Sequence, residues 1–144
     1  MKRVLIAAMV LVTAIFIGAA ALACEMNFTV ISSDGETVEM QPGRELKLDK
    51  GETYTMIIEF VEDHGRCETP ADETVYLLEE EKWKASKDYL PLALSEQGAW
   101  EEVSPGTWEQ ELVFTAQESG KTELEVIREC PKGGYDETLE FKVK

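Results

Sequence analysis

Histidine is nearly absent from this chain. His64 is the only one in 144 residues, and there are three cysteines, Cys24, Cys67 and Cys130. That stock is too small for a structural zinc site, which takes four Cys or His ligands, once Cys24 is assigned to the N-terminal chemistry below. It also leaves no complete set of nucleophile, base and orienting group. His64 stands beside Asp63 and three residues from Cys67. Loop neighbours in sequence do not set a base onto a nucleophile, and an oxidised Cys67 cannot attack. No Gly-rich phosphate loop follows a strand. Internal repeats, low-complexity tracts and a Pro/Ser-rich linker are missing as well. Positive charge is scarce, with 14 Lys and Arg against 29 Asp and Glu, a net charge of −15. Such a chain does not bind nucleic acid or an anionic membrane through electrostatics; it favours basic partners, or simply stays soluble. The absences argue against an enzyme, a cofactor and a metal, and leave an enzyme as a distant third reading.

There is one long apolar run. Lys2 and Arg3 precede Val4 to Ala23, and the run ends in Ala21-Leu22-Ala23-Cys24. A basic start, an apolar centre and small residues at the end are the order of a secretory signal. The expected boundaries are residues 1–23 for the signal and 24–144 for one exported domain. Small residues followed at once by cysteine also resemble a lipoprotein box, with Cys24 as the lipidated residue and the cell envelope as the location. A plain cleaved signal and an uncleaved membrane anchor remain open beside it, because the run is long enough to span a bilayer. Export puts the thiols in an oxidising place. If Cys24 takes lipid, Cys67 and Cys130 are left as a pair in two loops, and a bridge there stabilises by up to roughly 4 kcal/mol; two free thiols are the alternative. Asp34-Gly35-Glu36 reads as a turn before it reads as a calcium ligand set. Asn27-Phe28-Thr29 is a formal glycosylation sequon.

What the chain has in abundance is alternation. Tyr54, Met56, Ile58 and Phe60 share one face of a strand. Its other face carries Thr55, Ile57, Glu59 and Val61, which suggests cover on both sides. Trp108, Gln110, Leu112 and Phe114 form a second strand face; Leu124 and Val126 a third; Leu139, Phe141 and Val143 a fourth. Period two with one apolar face means half-buried strands. Phe28 and Val30 open a first strand, and short pieces around Val38, Met40, Leu46 and Leu48 belong at sheet edges. Val75 and Leu77, with Tyr76 and Leu78, mark another strand. Glu79 to Trp100 shows no clean period and holds Pro91, so an irregular crossing with one helical turn is expected there. Seven to nine short strands punctuated by turn residues predict an all-β, immunoglobulin-like antiparallel sandwich. The expected core is Phe28, Val30, Leu46, Leu48, Tyr54, Met56, Ile58, Phe60, Leu112, Phe114, Leu124, Val126, Leu139, Phe141 and Val143.

Several of these stretches resemble the chagasin-like inhibitors of papain-type cysteine peptidases. The likeness runs through Pro105-Gly106-Thr107-Trp108, Val113-Phe114-Thr115-Ala116, Ser119-Gly120-Lys121-Thr122, Leu124-Glu125-Val126, Arg128 and Phe141-Lys142-Val143, with Gly51-Glu52-Thr53-Tyr54-Thr55-Met56 earlier. The resemblance implies a sandwich that plugs a peptidase cleft with three loops and forms no covalent bond. The family's first loop, Asn-Pro-Thr-Thr-Gly and an aromatic, falls on Asp63, His64, Gly65 and Arg66, where Gly65 alone matches. The middle, Gly-rich loop falls on Gly106, Thr107 and Trp108. The last, Arg-Pro-aromatic, falls on Arg128 to Pro131, without its aromatic. In the family the first and last loops are neighbours, which would bring Cys67 and Cys130 together. The implied partner is a papain-like cysteine peptidase; the alternative is a structural or adhesive envelope module of the same fold.

Overall fold

The structure, a computed structural model, describes residues 24–62, 68–85, 91–131 and 133–144. The expected signal, residues 1–23, lies outside them. Among the described residues no helix is long and apolar enough to cross a membrane.

Among the described residues, eleven strands form two sheets. In chain order they are β1 (Glu25–Ser32), β2 (Thr37–Met40), β3 (Glu45–Leu48), β4 (Thr53–Val61), β5 (Val75–Leu78), β6 (Glu81–Lys82), β7 (Leu92–Gln97), β8 (Glu101–Ser104), β9 (Thr107–Ala116), β10 (Gly120–Arg128) and β11 (Tyr135–Val143). The first sheet has the order β2-β1-β4-β9-β7, with β8 beside the start of β9; the second has the order β3-β11-β10-β5-β6. The alternating residues fall where the period places them. Tyr54, Met56, Ile58 and Phe60 on β4 are buried, as are Gln110, Leu112 and Phe114 on β9, and Leu139, Phe141 and Val143 on β11. They meet in one core, in which Phe114 of the first sheet packs edge-on against Phe141 of the second at 6.0 Å between ring centres. Each such side chain contributes about 1.5–3 kcal/mol of burial. Every expected core residue is buried there except Leu46, which packs on the core from its margin.

Five expectations need correction. The strands number eleven among the described residues, not seven to nine, because the two-residue β6 and the split pair β7 and β8 are too short or irregular to show a period. One pairing is parallel, β3 with β11. The chain leaves β2 in the first sheet, breaks at Pro42-Gly43 and enters the second sheet at β3 without a hairpin. The second face of β4 is half-buried rather than covered. The stretch 79–100 is not a crossing with a helical turn in its described part: it supplies β6, β7 and the fully buried Trp83, whose Nε1 donates to the Leu92 carbonyl at 3.2 Å. The short helical turn lies instead at Ala71–Glu73. Finally, on β5 the buried pair is Tyr76 and Leu78, while Val75 and Leu77 are half-buried. In a strand a one-residue choice of phase exchanges the two faces.

Candidate functional site

Strand register decides which connections meet. The last residue of β4, Val61, pairs with the first of β9, Thr107, and with Glu25 of β1. The connection leaving β4 therefore starts beside the Pro105-Gly106 turn that feeds β9. Glu62 N–H donates to the Gly106 carbonyl at 2.8 Å, and Trp108 Nε1 donates to Glu62 Oε1 at 3.2 Å. Gly106 has φ +76°, where a side chain would be strained, and its own N–H donates to Glu102 Oε1 at 3.2 Å.

The third connection, between β10 and β11, is tied in through Arg128. Thr122, Leu124, Val126 and Arg128 all face inward on β10. Arg128 is 1% exposed. Its Nη1 donates to the Pro70 carbonyl at 2.7 Å and lies 3.4 Å from Thr74 Oγ1, and its Nη2 donates to the Thr69 carbonyl. The guanidinium carbon sits 4.0 Å from the centre of the Phe60 ring. A planar fork with several donors suits two adjacent carbonyls, and the ring face attracts the cation. Thr74 Oγ1 completes the arrangement by donating to the Ala71 carbonyl at 2.8 Å. At the other side of this turn, a Cβ on Gly134 would stand 2.2 Å from the Arg128 carbonyl oxygen, so only glycine lets the loop close this tightly.

The residues expected to meet a partner divide accordingly. Asp63, His64, Gly65, Arg66 and Cys67 lie outside the described residues. Gly106 and the exposed Pro131 are in turns at this end. Thr107 and Trp108 belong to β9 itself rather than to a loop, both half-buried. Arg128, expected to touch a partner, faces into the protein instead, because it occupies an inward slot of β10; it braces the β4–β5 connection. Cys130 is half-buried and has no disulfide partner among the described residues. Cys24 is buried immediately before β1, at this same end.

A groove of about 1270 Å³ opens between the β4–β5 connection and the turn from β7 to β8, with Trp100, Trp108 and Gln110 among its lining. Gln110 is buried and engaged at both ends of its amide. Oε1 accepts from the Tyr76 hydroxyl at 2.6 Å and Nε2 donates to the Gly98 carbonyl at 2.7 Å. Burial pushes the Tyr76 phenol well above its usual range, so it stays a donor. Sequence reasoning placed Gln110 inward but missed Trp100; a lone tryptophan in an aperiodic stretch gives no directional signal. Among the described residues no group of three or more His, Cys, Asp or Glu is placed to hold a metal ion.

No family model and no curated protein matches the chain. Among solved structures it is similar to a solution structure of amebosin, at 14% identity, over 72% of this chain and 90% of that one, with a TM-score of 0.41. A likeness at that distance carries no argument about function.

Proposed function

We propose that the end of the sandwich bearing the β4–β5, β8–β9 and β10–β11 connections binds a protein, and that its activity is non-covalent inhibition of papain-type cysteine peptidases. The supporting observation is the convergence of the three connections and their ties. Glu62 is bonded to Gly106, and Arg128 to Thr69 and Pro70. Ordering such loops before binding removes part of the entropy cost of association. A cleft-plugging inhibitor needs shape and hydrogen bonds at its tip and no nucleophile of its own. The same proposal takes residues 1–23 as the export signal and Cys24 as the lipidated residue of an envelope protein. Cys67 bridging Cys130 would add a covalent tie at this end.

A second reading, a structural or adhesive envelope module, is favoured by one observation. Arg128, on which the family's last loop motif falls, is turned inward, and Pro131 is followed by lysine rather than an aromatic. Buried aromatics usually anchor such interfaces. A panel of papain-like peptidases assayed with a small peptide substrate separates the two. Competitive inhibition by the folded protein is the expected result; a panel left fully active assigns the protein to the envelope module.

A further inference from the structure

The groove beside the loops has a definite chemical character. Trp100 and Trp108 line it while packing on the core from its margin. Indole faces attract a cation within about 6 Å of the ring centre. Every charged residue among the described lining residues is an acid, and Glu68, Asp72 and Glu102 are exposed. The floor is already engaged, since Gln110 bonds Tyr76 and Gly98. The described charged groups of the groove are thus hydrogen-bond acceptors lining the same space as the aromatic rings, on a chain of net charge −15. A ligand that suits them brings positive charge, hydrogen-bond donors and aliphatic length to lie on indole.

We propose that this groove docks an extended, Lys- or Arg-bearing segment of a partner protein. Exposed carboxylates give modest energy each but steer a cationic segment and select against acidic ones. The tryptophans supply the contact area, and the hydrogen bond from Trp108 to Glu62 fixes one ring in advance. The proposal requires a protein partner at this end and not peptidase inhibition, so a negative inhibition panel leaves it standing.

The test is fluorescence anisotropy of the full chain with three labelled decapeptides of one length: Lys/Arg-rich, its Gln-substituted counterpart and its Glu-substituted counterpart. An unlabelled neutral oligosaccharide serves as competitor. Only the cationic peptide is expected to bind, with affinity falling as salt rises from about 0.05 to 0.5 M. Asp72→Asn and Glu102→Gln, exposed and isosteric, should each weaken binding about three- to fivefold. Trp100→Ala should weaken it about fivefold. Glu36→Gln, exposed at the opposite end, is the control and should change nothing. Equal binding of the Gln peptide, displacement by the oligosaccharide, no binding at all, or an equal loss in the Glu36→Gln control would each overturn the proposal.

Discussion

The two ends of this sandwich are closed by different means. The end opposite the candidate loops is held by backbone. Ser32 N–H bonds the Glu36 carbonyl at 2.9 Å, Gly51 N–H the Ala116 carbonyl at 2.7 Å, and Lys144 N–H the Leu48 carbonyl at 3.0 Å. Among the described residues the loop end has one backbone bond between connections, from Glu62 to Gly106, beside short turns within them at 70–74 and 130–133, and its connections are otherwise tied by side chains: Arg128, Trp108 and Thr74. Backbone closure tolerates most side-chain changes, whereas closure by side chains concentrates stability in a few residues. The loop end is therefore the end at which single substitutions should count.

The largest expected effect is at Arg128. Arg128→Met keeps the apolar length over Phe60 but leaves the Thr69 and Pro70 carbonyls without their donor. Stability should fall by about 2–4 kcal/mol, read as a lower urea midpoint. Amide exchange should rise first in 68–74 if the loss is local, as the comparison requires. Gly134→Ala comes next. Its Cβ would meet the Arg128 carbonyl oxygen at 2.2 Å, so the turn must shift at a cost of roughly 1–3 kcal/mol.

At the opposite end the expected sign reverses. The hairpin from β5 to β6 turns through Glu79 and Glu80, at φ +50° and +66°. A two-residue hairpin turn of this kind favours Asn and Gly. Glu80→Gly should stabilise by about 1 kcal/mol, visible as a raised Tm. Glu79 is the poorer choice for replacement because its Oε1 accepts from Thr122 Oγ1 at 2.6 Å.

The smallest effect is at the surface pair of the exposed Lys121 Nζ and the half-buried Glu45 Oε2, 2.7 Å apart. The hydrogen bond from Lys121 holds the Glu45 carboxyl below the ordinary glutamate range. A depressed carboxyl contributes stability above its unfolded pKa and loses it as pH falls through its folded one. The Tm gap between the parent and Glu45→Gln should be small at neutral pH, close in acid, and shrink in about 0.5 M salt.

The fold was legible wherever one face of a strand was apolar and the other polar. That covers β4, β9, β10 and β11, which carry most of the core. It failed at 75–78, where four apolar residues in succession offer two phases. It failed again at 92–94, where Leu92, Ala93 and Leu94 are buried in succession and leave no alternation to read. Arg128 was in phase with Leu124 and Val126, so its inward direction was readable from the period alone. Its charge argued against burial, and only the paired carbonyls at Thr69 and Pro70, 58 residues and more away, explain how the cation is satisfied. The groove was hidden because its walls come from two connections and from strands distant in sequence.

The position of Cys24 sets a limit on reach. Glu25 already pairs with Val61, so no residue of slack separates Cys24 from the sheet. An extended chain gains only about 3.3–3.6 Å per residue. A lipid on Cys24 would draw the loop end against the bilayer, into the space a bound peptidase would occupy. If Cys24 carries lipid, the tether and a cleft-plugging contact would share one end of the molecule, and a tethered form would reach only partners that approach close to the bilayer.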